Sequence, residues 1–314
     1  MIRLLRPFIV GLLIGMLAGP VWAVRIFTTG FEENNFAATM WTTVLGTPTI
    51  QTTTVNSGTY AMQVATGAGR EAMRQLSASV TSGTYTTRFM YRKSGNPAFT
   101  RIIMAVTNTG LGDSVRLQVS SAGVLILRNH VTGTTANGST LSSNVWYRIE
   151  LEHVIADTGG SVTVRLDGVQ DSTITNEDTL STTVQRWIFG DAVSNFGADQ
   201  FYDDIAINDA TGTFQTSWPG AGKIALIKPA TDVSVTWEDQ AGAAGSFANI
   251  DDVPGLPDDA TTYQVEAVTL NSIDQFGVTG LPAEVPSDAD MILLDVYARV
   301  GSNQTSAATA RFKV

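Results

Sequence analysis

The chain has 314 residues, of which 43% are hydrophobic and 15% are charged, enough for one large β domain and a smaller second one. Its net charge of −10 argues against nucleic acid and anionic membrane surfaces as partners, because both require a basic patch. It contains no cysteine, which excludes disulfides, cysteine-based metal sites and a thiol nucleophile.

The chain begins with a segment that has the layout of a secretory signal. Arg3 and Arg6 precede an apolar run over residues 8–17, and small residues lead up to Ala23. Cleavage after Ala23 would start the mature chain at Val24. Glycines and a proline interrupt the run, which is short for the roughly 20 apolar residues of a spanning helix, so we expect no stable membrane span. The alternative is that residues 1–23 stay attached as an apolar anchor buried in an assembly.

Residues 24–210 contain short runs that alternate apolar and polar residues, separated by turn signals such as Ala136-Asn137-Gly138 and Asp167-Gly168. After a first strand from Arg25, strands are predicted at residues 60–64, 84–92, 101–107, 114–120, 123–129, 145–153, 161–166, 184–190 and 200–207. Many short strands at nearly even spacing predict an all-β sandwich.

Three stretches of this region resemble concanavalin A-like (laminin G-like) jelly-roll domains. GFEE at residues 30–33, followed by Trp41, resembles the opening of many carbohydrate-binding jelly rolls, and FYDDIAIND at residues 201–209 resembles their last strand. VWYRIELE and SVTVRLDG, which start at residues 145 and 161, resemble two adjacent central strands. The resemblance implies a concanavalin A-like jelly roll over residues 24–210, with Trp146 in its core.

A different, more acidic segment follows the last of these strands. The order TGTFQTSWPGAGKIALIKP, then the isolated Trp237, then DDVPGLPDDATTY at residues 251–263 resembles a class of tailed-phage virion proteins in which a jelly roll precedes a small module. We predict a linker over residues 211–222 and a small β assembly domain over residues 223–314, with strands at 223–228, 233–237, 262–269, 275–279, 290–299 and 307–314. The resemblance implies contacts with other virion subunits or with further copies of the chain.

Glu150 and Glu152 point to one face of a predicted strand, and His153 follows them. Glucanases of the concanavalin A-like superfamily carry a longer acidic motif, and its third acid is missing here, so a solvent-facing strand edge is the favoured interpretation. His130, the other histidine, lies in a predicted turn. No set of residues supports nucleophilic catalysis, and the sequence predicts a protein that is not an enzyme.

The first and last strands of a jelly roll usually lie near each other, which would bring Glu32 and Glu33 towards Asp203 and Asp204. Oxygen ligands from these four acids could hold a structural Ca²⁺. The alternative is that one acid of each pair is buried in a hydrogen-bonded turn and the other is solvated, because no ligand spacing as strict as an EF-hand is present.

Loops on a rigid sandwich carry binding sites, and GDAVSNFGADQ at residues 190–200 combines polar side chains with an aromatic ring. The sequence predicts glycan binding by Asp191, Asn195, Phe196 and Asp199. Further aromatic residues in polar surroundings could stack on a sugar, although aromatics in strands more often belong to the core. These residues are Tyr85, Tyr91, Phe99, Trp187 and Tyr202.

Two functions fit these observations. The first is a non-enzymatic virion structural protein of a tailed phage, a capsid decoration or tail-associated subunit whose jelly roll displays or weakly binds a glycan. The alternative is a secreted bacterial glycan-binding protein with a lectin-like sandwich, extracellular after signal cleavage. The virion hypothesis leads because its resemblance is the more detailed.

Overall fold

The structure is a computed structural model, and it describes residues 25–36, 40–67, 69–108, 110, 112–180, 183–191, 196–210, 216–239, 245–251, 264–265 and 274–280. The signal-like segment, Asn195 and the strand predicted at residues 290–299 lie outside these ranges. Within them, no helix has the length and apolar character needed to cross a membrane.

The sandwich consists of short strands, as the alternating sequence predicts. They are β1 (Arg25–Thr29), β2 (Thr43–Leu45), β3 (Thr49–Gln51), β4 (Ala61–Val64), β5 (Arg70–Val80), β6 (Gly83–Lys93), β7 (Arg101–Thr107), β8 (Asp113–Val119), β9 (Val124–Asn129), β10 (Thr135–Thr140), β11 (Tyr147–Ile155), β12 (Gly160–Leu166), β13 (Val169–Glu177), β14 (Val184–Asp191) and β15 (Gln200–Asp209).

These strands form two antiparallel sheets. Sheet I has the order β13-β12-β11-β6-β15-β4-β3, with β1 also paired to β15, and sheet II has the order β10-β9-β8-β7-β14-β5-β2. Alternate residues of both sheets point into one core, which confirms the predicted all-β jelly-roll sandwich. The pairing of β1 with β15 brings the first and last strands together.

The core is rich in aromatic side chains. Trp41 stacks on Phe31 with ring centroids 5.9 Å apart, and it meets Phe189 edge-on at 6.3 Å. Trp187 is also buried. The prediction that Trp146 enters the core is wrong, because this residue precedes β11 and is partly exposed.

Two turn signals have different outcomes. Asp167-Gly168 joins β12 to β13 with positive φ at both residues, 52° and 89°, as a tight hairpin turn requires. The turn predicted at residues 136–138 is wrong, because these residues belong to β10. Gly138 is needed there for space: a Cβ at this position would lie 1.7 Å from Oδ2 of Asp171.

Residues 216–224, which we call the seam, lie against the outer face of sheet I. The Ser217 carbonyl accepts hydrogen bonds from Thr86 at 2.9 Å and from Asn208 at 3.1 Å. Arg88 donates to the carbonyls of Gly220 and Gly222 at 3.3 and 3.1 Å. The described part of the predicted linker is therefore packed on the sandwich.

Beyond the seam, the described residues form short two-stranded pairings. β16 (Pro229–Ser234) pairs with β19 (Gln275–Val278), and β17 (Glu238–Asp239) pairs with β18 (Gln264–Val265). The strands predicted at residues 223–228 and 233–237 are misplaced: β16 covers the whole interval between them and ends at Ser234, and residues 223–228 form no strand.

Candidate functional site

Asp203 and Asp204 lie at a β-bulge in β15. Asp203 pairs with Met90 on β6, but the next pairing is Ala206 with Arg88, so the register shifts between them. Asp204 takes the left-handed conformation, with φ of 48°, and Arg88 donates to its carbonyl at 3.1 Å. Both aspartates are fully buried.

Backbone and side-chain donors of one turn hold the two carboxylates. Asp203 accepts from the backbone N–H groups of Asn56 at 2.9 Å and Ser57 at 3.2 Å. Asp204 accepts from the Asn56 amide at 2.9 Å and the Ser57 hydroxyl at 2.8 Å. The N–H of Ile224 donates to it at 2.8 Å, which ties the seam to the bulge.

Burial, followed by the charge of Asp204, raises the pKa of Asp203 to about 8. Two negative charges on the buried pair are therefore unfavourable, and a proton or a cation beside the pair would offset one of them. No group of three or more histidine or acidic side chains suited to a metal ion occurs among the described residues. The calcium site stays a prediction, and the buried aspartate pair is the part of it that a cation would stabilise.

The two glutamates are held separately. Glu32 accepts from the N–H groups of Thr59 at 2.9 Å and Tyr60 at 3.1 Å, in the turn that follows Ser57. Glu33 is buried and accepts from the Thr29 hydroxyl at 2.7 Å; burial raises its pKa. Glu32 is thus the glutamate bound to the loop that also contacts the aspartate pair.

The loop predicted to bind a glycan has mostly structural contacts. Asp191 is buried and its carboxylate accepts from the N–H of Ile102 at 3.3 Å. Phe196 is 3% exposed and belongs to the core, so its ring has no open face for a sugar. Asp199 is half-buried and accepts from the N–H of Thr66 at 2.9 Å.

Glu150, Glu152 and His153 do not converge. Glu150 is buried because the seam covers it: the N–H of Gly220 donates to it at 2.7 Å, and Arg148 pairs with it at 3.2 Å. His153 lies on the other face of sheet I, buried, where its Nε2 is 3.0 Å from the Thr179 carbonyl. Burial lowers the pKa of His153 to about 4, so the ring is neutral.

Phe99 differs from the other aromatic candidates. Tyr85, Tyr91, Trp187, Phe196 and Tyr202 are all buried, whereas Phe99 is 67% exposed. It lies in the loop before β7, and the guanidinium carbon of Arg101 is 5.4 Å from its ring centroid. Phe99 thus presents an open aromatic face beside a cation.

The outer face of sheet II carries an apolar strip at its centre. Ile188 on β14 lies opposite Met73 on β5 and Ala105 on β7, and Ile102 packs against this cluster. The neighbours of these residues along each strand point into the main core, so the strip lies on the outer side of sheet II, but Met73, Ala105 and Ile188 are themselves buried, at 4–7% exposed. We call it the apolar floor.

Long polar side chains flank the apolar floor. Arg186 donates to the side chain of Gln75 at 2.7 Å, Arg116 lies opposite Ala105, and Gln118 lies opposite Ile102. These amide and guanidinium groups can hydrogen-bond hydroxyl or acidic groups of a ligand.

No protein-family model and no curated protein matches the chain. Among solved structures, it is similar to the cellulose-induced protein Cip1, with a TM-score of 0.47 at 18% identity over 62% of this chain and 100% of that one. It is also similar to a Trypanosoma rangeli sialidase, with a TM-score of 0.38 at 12% identity over 51% of this chain and 27% of that one. A structure of botulinum neurotoxin type C, a toxin whose cell entry depends on interaction with two ganglioside molecules, gives a TM-score of 0.40 at 10% identity over 52% of this chain and 42% of that one.

Sequence reasoning missed the charged part of sheet II. Arg116 and Arg128 belong to the same hairpin and lie directly opposite each other on β8 and β9. The two strands were predicted, and the tight turn between them sets the register. Aligning the two predicted strands across this turn would have placed the two arginines opposite each other.

Proposed function

We propose that the chain is a non-enzymatic glycan-binding protein, and that its sandwich binds through the outer face of sheet II and the loop carrying Phe99. The observation that carries this proposal is Phe99, an aromatic ring 67% exposed beside the guanidinium of Arg101. An exposed ring on a polar loop offers the C–H face of a sugar an apolar contact, while neighbouring donors bind its hydroxyls.

The choice of sheet rests on the seam. It hydrogen-bonds across β15, β6 and β11, and Trp218 lies 4.1 Å from the guanidinium carbon of Arg165 on β12. Residues 216–224 therefore occupy the centre of the outer face of sheet I. Sheet II carries the partly exposed arginines Arg116, Arg128 and Arg186 on its outer face, which makes it the better surface for a ligand.

The test is glycan-array screening of the full-length chain, followed by calorimetry on the best ligand with Phe99→Ala. Loss of one stacking ring costs about 1 kcal/mol, so we expect the affinity to fall roughly five-fold. Val169→Ala is the matched control, because Val169 is 73% exposed in the hairpin between β12 and β13 of sheet I. Equal affinities of the Phe99 variant and the unmodified chain, or no array binding at all, contradict the proposal.

We propose a virion structural role as the second candidate function. The protein would be located in the virion in that role, and in the extracellular space as a secreted glycan-binding protein. What supports it is the seam, which resembles phage virion proteins in sequence and joins the sandwich to the C-terminal residues through Arg88 and the bulge at Asp204. A chain truncated after residue 224 should then neither join particles nor self-associate. Unchanged assembly of that truncated chain, measured by light scattering, would contradict this role.

A further inference from the structure

Two arginines face each other on the outer face of sheet II. Arg116 on β8 lies directly opposite Arg128 on β9, at the cross-strand spacing that puts Cβ atoms about 5 Å apart. Their strand neighbours Leu117 and Leu127 are buried in the core, so both arginines point outward. Like charges directly opposite each other destabilise a sheet.

A third basic side chain joins the pair. His130 follows β9, and its backbone N–H donates to the carbonyl of Ser114 at 2.8 Å, which fixes the residue beside β8. Arg116, Arg128 and Asp113 all act electrostatically on its ring. Arg116, Arg128 and His130 form what we call the basic cluster.

The positive charge of the basic cluster is only partly neutralised. Asp113 forms an ion pair with Arg116. Arg128 forms no ion pair among the described residues, and its Nε is buried with no hydrogen-bond partner there. The Nδ1 of His130 is likewise buried with no hydrogen-bond partner among the described residues. Buried polar atoms normally have partners, so the Nε–H of Arg128 lacks an acceptor, and the Nδ1 of His130 lacks a donor or an acceptor according to its tautomer.

We propose that the basic cluster binds an acidic group of a glycan, a carboxylate or a sulfate, so that the ligands of this protein are acidic sugars. The inference rests on the proposed glycan-binding function and names its ligand class. Guanidinium groups bind carboxylate and sulfate oxygens through paired N–H donors, and these bonds are stronger than those to a neutral hydroxyl.

The test compares each acidic glycan with its own methyl ester. The full-length chain is screened on an array of neutral, uronate-containing, sialylated and sulfated oligosaccharides, and uronate or sialyl ligands are measured again by calorimetry after esterification. We expect acidic ligands to bind and esterification to lower the affinity at least ten-fold. Each sulfated ligand is compared with its desulfated form. This comparison shows whether the protein recognises a sulfate as well as a carboxylate.

Variants then locate the site. Arg128→Gln should lower the affinity for the acidic ligand at least ten-fold while its melting temperature stays equal or rises, because the variant removes one of two opposed charges. Arg92→Gln is the control: it makes the same charge change on sheet I, where Arg92 lies 5.8 Å from the ring of Phe201. NMR titration of His130, one of two histidines, should show its pKa rising when the free acid binds and not when the ester binds.

The outcomes separate the two proposals. Binding confined to neutral glycans overturns the basic cluster as an acid site but leaves glycan binding intact. Acidic-glycan binding that Arg128→Gln does not weaken also overturns it, because the acid then binds elsewhere. No binding to any glycan overturns both proposals.

Discussion

His153 gives the sharpest test of the core. It is fully buried, its Nε2 is 3.0 Å from the Thr179 carbonyl, and its Nδ1 has no partner among the described residues. Protonation would place an N–H in the core with nothing to accept it. Burial therefore lowers the pKa of His153 from 6.5 to about 4.

The sign and size of the effect follow from this shift. Between pH 4 and 6.5 the unfolded chain binds a proton at His153 that the folded chain does not, so stability from this residue is present above pH 6.5 and lost as the pH falls towards 4. At pH 5 the loss amounts to about 2 kcal/mol.

The assay is urea unfolding followed by tryptophan fluorescence at pH 7.5 and 5.0. His153→Gln is the informative variant, because its amide can still donate to the Thr179 carbonyl but does not titrate. We expect the unmodified chain to lose about 2 kcal/mol more than the variant between the two pH values. Comparing the two proteins cancels other titrating groups, including Asp203, whose raised pKa has the opposite effect. Equal losses in both proteins would refute the reasoning.

Three further predictions concern the bulge and the seam. We expect EDTA to lower the melting temperature of the full chain if the predicted Ca²⁺ binds beside Asp203 and Asp204, because such an ion would bind only the folded state; unchanged melting contradicts the calcium site. Gly58→Ala should destabilise the chain by at least about 1 kcal/mol on thermal unfolding, since a Cβ at φ of 67° meets Glu32 at 2.2 Å; an unchanged melting temperature contradicts this. Arg88→Lys should speed tryptic cleavage after Lys223 by releasing the seam carbonyls, whereas Arg92→Lys should not.

Strand alternation predicted most of the sandwich, because each buried face needs apolar residues at every second position. The runs from Arg101 and from residue 200 became β7 and β15 with the predicted starts. Five strands of the sandwich were not predicted: β2, β3, β5, β10 and β13. β10 and β13 are rich in threonine, serine and asparagine, and their exposed faces carry little apolar signal. β10 in addition contains an Asn-Gly pair that is typical of a turn.

The candidate sites depended on long-range contacts that spacing cannot reveal. Glu150 has the pattern of an exposed strand residue, yet it is buried because Gly220, seventy positions later, donates to it. Phe196 lies in a polar loop but enters the core, whereas Phe99 in a comparable loop stays exposed. Composition and alternation are alike for the two phenylalanines, and only the packing of the sandwich separates them.

The charge distribution favours a discrete acidic ligand over a polyanion. The chain as a whole carries −10, so a long polyanion such as nucleic acid meets net repulsion along its length. A single carboxylate or sulfate at Arg128 meets mainly the basic cluster, because charges more than about 8 Å away are largely screened at physiological salt. We therefore expect the basic cluster to bind sugars with isolated acidic groups, and the net negative charge of the chain to repel densely charged polymers. The arginines that destabilise sheet II are, by this argument, the residues that set its specificity.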